Sequence, residues 1–283
     1  MKAIISTTYD SKYFYFLPIV TFCWNKLGVD VICFIPSVSN KVNSGDKTLL
    51  VYKTMYEVLN SNIDICTFNA QFHKQSTYAQ CSRLYGACLD LPEDEILITG
   101  DVDMAMFKVP EYTSGSFNVF GSDLTPPKQF PICYLMATVK EWRMAFNLQY
   151  GCMSERLNEE AWIETRKYQE CLDSLLGGIE AESFRGNYWS KDQEEAYNKI
   201  SKVTRLEKAR AREGTQFATK RVDRDDLHYM DRLDKDIIDA HLWRPGYTEE
   251  NFPKILELLQ YFYPEDDFNW LIEYTNEYRK LVG

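Results

Sequence analysis

Short apolar runs alternate with segments of helical periodicity over about the first hundred residues of the chain. The apolar runs predict strands at residues 3–7, 29–35, 63–68 and 96–100. The segments between them predict helices at residues 13–27, 48–60 and 76–89. This alternation predicts an α/β fold with a mostly parallel central sheet flanked by helices on both faces.

The pattern changes after residue 100. Strands are predicted at residues 116–120 and 131–138, and helices at 139–148, 155–176 and 192–203. Two amphipathic helices at about 248–263 and 266–281 predict a helical C-terminal part. We expect the charged segment 204–226 to lie at the surface. We also expect Pro36 to end the second strand, because proline cannot donate a ladder hydrogen bond.

Two carboxylates, Asp101 and Asp103, directly follow the apolar run at residues 96–100. The same Asp-x-Asp spacing recurs in the charged stretches 220–226 and 231–236, which are typical of a solvated surface. Ligands of parallel sheets bind outside the carboxyl ends of the strands, and paired carboxylates there suit a hard divalent cation. We therefore interpret Asp101 and Asp103 as a metal site whose cation would neutralise a diphosphate.

The composition narrows the range of partners. A net charge of −10 argues against nucleic acid or an anionic membrane as the principal partner.

The 283 residues suffice for one large α/β domain, or for a core domain with an appended lobe. The eight cysteines form no Cys-x-x-Cys pair, which predicts buried thiols in a reducing compartment. Because no signal peptide or transmembrane segment is visible, we expect a cytoplasmic location; the oligomeric state stays open.

An ordered set of motifs resembles one known family. In chain order the motifs are Ser6-Thr7-Thr8 at the end of the first strand, Asp101-Val102-Asp103, Trp189-Ser190-Lys191-Asp192-Gln193 at a helix start, and His241. Over about residues 1–245 this order resembles a GT-A-fold glycosyltransferase. It looks closest to small soluble transferases of large algal viruses and of microbial surface-glycan clusters.

The resemblance implies a domain plan and an activity. It implies a GT-A-like catalytic domain at 1–245, with a nucleotide-binding half at 1–104 and an acceptor half at 105–245. Residues 246–283 would form a helical extension packed on it. The implied reaction moves a sugar from a UDP- or GDP-type nucleotide sugar to a hydroxyl of a glycan or glycoprotein. Mn²⁺ or Mg²⁺ would be the cofactor, and inversion at the anomeric carbon is expected.

The resemblance also assigns roles around the cation. Asp103 would coordinate it directly, Asp101 would contact the ribose or a water on the cation, and His241 would be a late third ligand. Thr7 and Thr8 fall where the family holds the nucleoside. Independently of the family, two carboxylates favour a hard cation, and one imidazole shifts the preference towards Mn²⁺.

Three further residues receive roles by position. Arg83 falls where the family often has a basic residue facing the base or the diphosphate. Asp192 falls at the helix start where inverting members place the catalytic base, and Asp123 is the alternative base. A base is needed because an inverting transfer must deprotonate the acceptor hydroxyl. A retaining transfer would not need one.

Each assignment has a structural alternative. His241 stands among apolar residues and would also fit a core position; if it is a metal ligand, Asp239 is a candidate to orient it. Asp192 would also serve as a helix cap, and Arg83 as a solvated surface charge. Arg221 and Arg224 are expected to pair with acidic neighbours in their own segment; their functional alternative is to bind a phosphate.

Three rival functions fit parts of the pattern. A haloacid-dehalogenase-like phosphatase also uses an Asp-x-Asp after a strand, normally the first strand of its core. A sugar nucleotidyltransferase would usually carry a glycine-rich loop after the first strand, and the run Ser6–Asp10 contains no glycine. A non-catalytic nucleotide-sugar-binding protein would keep the scaffold and lose turnover.

Overall fold

The computed structural model describes most of the chain. The described residues are 1–37, 45–69, 75–122, 125–148, 190–203, 205–209, 221–225, 228 and 230–283. The predicted helix at 155–176 and the candidate base Asp123 lie outside the described residues. Among the described residues, no helix is both long enough and apolar enough to cross a bilayer.

The strands of the described part form two sheets. In chain order the strands are β1 Lys2–Ser6, β2 Asp30–Ser37, β3 Ile63–Asn69, β4 Ile96–Thr99, β5 Met104–Met106, β6 Phe117–Phe120, β7 Leu135–Thr138, β8 Leu206–Ala209, β9 Arg221–Val222 and β10 Asp239–His241. The main sheet has the order β3-β2-β1-β4-β7-β6-β8, and the small one β5-β10-β9. In the main sheet, β7 is antiparallel to both of its neighbours and the other pairs are parallel. The predicted α/β fold with a mostly parallel sheet is confirmed.

Helices connect the strands and form the end of the chain. In chain order they are α1 Ser11–Phe14, α2 Leu17–Lys26, α3 Asp46–Lys53, α4 Gln75–Ser82, α5 Val139–Phe146, α6 Lys191–Ile200, α7 Phe252–Phe262 and α8 Asn269–Val282. A π-helical turn, Thr54–Val58, extends α3, and a 3₁₀ turn, Arg83–Cys88, extends α4. The sequence therefore predicted these helices in the right places but not their interruptions. The predicted helix at 13–27 is also interrupted, between α1 and α2, and Pro18 contributes to this break because a proline is tolerated in a first turn but not inside a helix.

Pro36 does not end the second strand, which contradicts the prediction. The strand β2 continues to Ser37, and Pro36 pairs with Phe68 of β3. The carbonyl of Phe34 faces the β1 side, where it accepts from Thr7 N at 3.1 Å. Pro36 has the same parity as Phe34, and the register with β1 ends at Phe34. Its missing N–H would therefore point to a side where no strand pairs with it, so the ring costs no ladder bond.

Apolar side chains cover both faces of the main sheet. Alternation along the strands sends Ile5 and Cys33 to one core, shared with α2, α7 and α8. It sends Ile4 and Phe34 to the other core, shared with α4, α5 and α6. Because both faces are covered, polar side chains that follow the strands gather at the carboxyl edge of the sheet.

The charged segment 204–226 was predicted to lie at the surface, but part of it belongs to the two sheets. The strand β8 pairs with β6 in the main sheet, and β9 pairs with β10 in the small one. Val222 of β9 is buried. Strands of two to four residues within a charged segment carry too weak a periodic signal to be predicted.

Of the described cysteines, all six are free and four are buried, in agreement with the prediction of thiols.

Candidate functional site

A cavity of about 310 Å³ lies at the carboxyl edge of the main sheet. Seven of the eight residues selected from the sequence line it: Thr7, Thr8, Arg83, Asp101, Asp103, Asp192 and His241. These residues come from five separate parts of the chain, so the fold and not the local sequence brings them together. The eighth, Asp123, lies outside the described residues.

The Asp101–Asp103 turn is fixed from two directions. Thr99, at the end of β4, is buried; its hydroxyl donates to Ile132 O and accepts from Leu135 N. The carbonyl of Asp103 accepts from Leu242 N at 2.8 Å, directly after β10. This bond, together with the antiparallel pairing of β5 with β10, brings the segment that carries His241 to the turn.

Asp103 is the centre of one ion cluster in the cavity. Its Oδ2 atom lies 3.2 Å from His241 Nε2, 3.3 Å from Arg224 Nη1 and 3.2 Å from Arg244 Nε. Asp103 itself is buried, whereas the three partner side chains are 22–25% exposed. His241 therefore faces the cavity and is not a core residue.

Arg83 is the centre of a second ion cluster. It is buried, and it forms an ion pair with Asp101 and another with Asp192, where Nη2 lies 3.1 Å from Oδ2. Its Nη1 also donates to Gly100 O at 3.0 Å. The alternative of a solvated surface arginine is thus wrong, because the 3₁₀ turn after α4 points this side chain inwards.

The two carboxylates on Arg83 have opposite pKa shifts. Burial raises the pKa of Asp192 to about 6, against the lowering effect of Arg83. Desolvation also raises the pKa of Asp101, but Arg83 and His241 lower it by more, so the net shift is downward. At neutral pH both groups are mainly ionised, and Asp192 is the one that takes up a proton first.

Asp192 belongs to the first turn of α6 and does not cap it. The cap position is Ser190, and the Asp192 carboxylate accepts from Gln193 N at 2.9 Å while it lines the cavity. A carboxylate in a first helical turn is favoured by the helix dipole. The dipole of α6 therefore favours the ionised Asp192 carboxylate, which also faces the cavity.

The hydroxyl groups at the end of β1 are partly engaged by the neighbouring backbone. Ser6 Oγ donates to Ala79 O of α4. Thr7 Oγ1 donates to Thr8 O at 3.1 Å, and Thr8 Oγ1 accepts from Asp10 N at 3.3 Å. Thr7 and Thr8 line the cavity and keep further hydrogen-bonding capacity, since a hydroxyl can both donate and accept.

The pairings expected for Arg221, Arg224 and Asp239 are wrong. Arg221 binds Asp239 with two hydrogen bonds of 2.7 Å, and Arg224 binds Asp103. The cause is strand register: β9 runs parallel to β10 and sets Arg221 beside Asp239. Asp239 is consequently engaged by Arg221, and the structure gives no contact from it to His241.

Sequence inspection missed Arg244 and Tyr13, which also line the cavity. The Arg244 side chain donates to Tyr13 OH, and its guanidinium carbon lies 4.9 Å from the centre of the Tyr13 ring. The available signal was position alone, since Arg244 stands three residues after His241.

The donor set suits a hard cation in its chemistry. Asp101, Asp103 and His241 supply two carboxylates and an imidazole to one cavity. Among the described residues, however, no three acidic, cysteine or histidine side chains are already gathered as a ligand group. Asp101 is turned to Arg83, and Asp103 is held by arginines, so a cation would have to displace some of these contacts.

Comparison with known proteins gives likeness of fold alone. No family model and no curated protein matches the chain. Among solved structures, it is similar to galactosyltransferase LgtC in complex with donor and acceptor sugar analogs, with a TM-score of 0.46, 9% identity, and coverage of 91% of this chain and 95% of that one. It is similar to glycosyltransferase GlyE of Streptococcus pneumoniae TIGR4, with a TM-score of 0.45, 11% identity, and coverage of 99% and 63%.

A third similar structure is a glycosyltransferase involved in the glycosylation of the major capsid of PBCV-1. Its TM-score is 0.35 at 9% identity, with coverage of 85% of this chain and 93% of that one. Scores and identities at this level do not identify which atoms react. The chemistry of this protein must therefore be inferred from its own cavity.

Proposed function

We propose that the protein is a metal-dependent glycosyltransferase, which moves a sugar from a UDP- or GDP-type nucleotide sugar to a hydroxyl of a glycan or glycoprotein. The observation that carries the proposal is the gathering of Asp101, Asp103 and His241 with three arginines in one cavity at the carboxyl edge of the sheet. Clustered carboxylates suit a cation and clustered guanidinium groups suit an anion. A metal-bound diphosphate combines the two.

Asp101, Asp103 and His241 are the residues that would hold Mn²⁺ or Mg²⁺. When bound, such a cation supplies Lewis-acid stabilisation of the leaving diphosphate. Thr7 and Thr8, at the end of β1, are the proposed contacts of the nucleoside. Arg83 would act mainly by positioning Asp101 and Asp192, since it already forms an ion pair with each of them.

Asp192 is the proposed general base of an inverting transfer. The acceptor oxygen attacks the anomeric carbon, and Asp192 takes the hydroxyl proton. The bond between the anomeric carbon and the diphosphate oxygen breaks, and its electron pair stays on the diphosphate. Asp192 lines the cavity, and burial raises its pKa to about 6, nearer to neutral pH than that of a free aspartate. Asp123 is the alternative base. The anomeric configuration of the product, read by NMR, distinguishes this route from a retaining one.

The first experiment is a thermal-shift panel with UDP, GDP, CMP and dTDP, each with and without Mn²⁺. A ligand at about a hundred times its Kd adds roughly 2.7 kcal/mol to the free energy of unfolding, which is easily visible. We expect a shift with one nucleoside diphosphate, and only when Mn²⁺ is present. A panel with no shift for any nucleotide would reject the proposal and favour a phosphatase or another use of the scaffold.

A further inference from the structure

Two guanidinium groups and an imidazole contact a single carboxylate oxygen, Asp103 Oδ2, at 3.2–3.3 Å. A carboxylate has about four lone-pair positions, which are shared between its two oxygens. Oδ2 is therefore saturated by the three contacts. A cation that binds Asp103 through this oxygen must displace at least one of them.

The two arginines are not held equally. Arg244 is secured by Tyr13, through the hydrogen bond to its hydroxyl and through the ring face at 4.9 Å. Arg224 follows β9 by two residues, and its side chain is 25% exposed. Within the described residues, the structure gives Arg224 no hydrogen-bond or ion-pair partner other than Asp103. Of the two arginines, Arg224 is therefore the one whose contact with Asp103 is lost more easily.

We propose that Arg224 is an exchangeable counter-ion of Asp103, which a cation displaces and which then binds the diphosphate of the substrate. The inference rests on the proposed function, because it takes the cation and the diphosphate from there. A guanidinium group suits the second task, since its planar fork matches two phosphate oxygens. Arg244, which Tyr13 holds in place, would keep its position throughout.

The charge balance of the cavity favours such an exchange. The described lining contains three aspartates and three arginines, so their formal charges cancel in the absence of ligand. A cation that binds alone must compete with Arg224 for Asp103, and a diphosphate that binds alone must approach ionised aspartates. When both bind, the cation frees Arg224 for the diphosphate, and the diphosphate draws Arg224 away from Asp103. The exchange therefore predicts strong cooperativity between cation and nucleotide, and part of it depends on Arg224.

The test is the Arg224→Gln variant, studied by binding and not by turnover. Electron paramagnetic resonance gives the Kd of Mn²⁺ without nucleotide, and calorimetry gives the Kd of UDP, or of GDP, with and without Mn²⁺. We expect Mn²⁺ to bind roughly three- to tenfold more tightly, because its competitor is gone. We expect the nucleotide to bind about tenfold more weakly at saturating Mn²⁺, because a phosphate contact is gone. The factor by which Mn²⁺ improves nucleotide binding should therefore fall.

Two controls separate the exchange from a general effect of charge. Arg224→Lys keeps the charge and loses the fork, so Mn²⁺ affinity should stay near that of the wild type while nucleotide binding weakens. Lys202→Gln removes one positive charge from an exposed position that does not line the cavity, and it should change neither affinity. Circular dichroism and the melting temperature establish that each variant is folded.

The outcomes are distinguishable. If the wild type binds neither UDP nor GDP with Mn²⁺, the proposed function fails and the exchange fails with it. If the wild type shows Mn²⁺-dependent nucleotide binding and Arg224→Gln keeps the same coupling factor, only the exchange is overturned. Weaker Mn²⁺ binding by Arg224→Gln would also overturn it.

Discussion

The cavity contains two ion clusters that are mirror images in composition. In one cluster, a single arginine, Arg83, serves two carboxylates, Asp101 and Asp192. In the other, a single carboxylate, Asp103, is shared by two arginines and a histidine. Both shared residues are buried, and so is Asp192, whereas the cations around Asp103 are about a quarter exposed. The comparison teaches that the clusters respond differently to the loss of one ion: loss of Arg83 leaves the buried Asp192 without a countercharge, whereas loss of one cation leaves Asp103 with two others.

The largest effect is expected from Arg83→Met. The substitution leaves the buried Asp192 without its countercharge, and loss of one partner of a buried pair typically costs about 3–5 kcal/mol. We expect a loss of about 3 kcal/mol in the free energy of unfolding, measured by urea denaturation at neutral pH. The matched control is Arg224→Gln, which should lose less than about 1 kcal/mol because its pair is partly exposed. Equal losses for the two variants would remove the distinction between the clusters.

The second effect concerns Asp103→Asn. The variant removes a proposed cation ligand but leaves only partly exposed arginines behind, so its free energy of unfolding should change by about 1 kcal/mol or less. Metal-dependent turnover should fall at least about 100-fold, the typical cost of losing a group that stabilises a developing charge. Turnover like that of the wild type would reject Asp103 as a metal ligand.

The third effect concerns Asp192→Asn. Transfer should fall about 100-fold, as expected for a lost general base, while nucleotide affinity stays within about twofold. The transfer rate of the wild type should rise with pH through about 6, where Asp192 loses its proton. If binding and transfer fell equally, Asp192 would be a positioning residue and not a base.

The same group gives a prediction for stability. The pKa of Asp192 in the folded protein, about 6, lies above that of a free aspartate. Its protonated form therefore favours the folded state, and this contribution is complete below pH 4 and disappears as the pH rises through about 6. Relative to Asp192→Asn, the wild type should lose stability between pH 4 and pH 7. Denaturant titrations at each pH measure this difference, and a difference independent of pH would contradict the raised pKa.

The sequence predicted the sheet and the acidic turn because both depend on local patterns. An apolar run that ends at Asp101 and Asp103 needs only the rule that ligands lie at the carboxyl ends of parallel strands. The pairing of Arg221 with Asp239 and that of Arg224 with Asp103 instead depend on β9 and β10, strands of two and three residues. Strands so short have no readable periodicity, and Arg224 lies 121 residues from its partner in the sequence. Their register exists only in the folded protein.

The backbone bond from Leu242 to Asp103 has a consequence for assembly of the protein. His241 and Asp103 are separated by 138 residues, and the pairing of β5 with β10 joins the two segments. The site forms only when these two distant segments of the chain have come together, even if the first strands are already paired. A ligand that contacts both segments would stabilise the arrangement in which they are paired, and its affinity would depend on the free energy of that pairing.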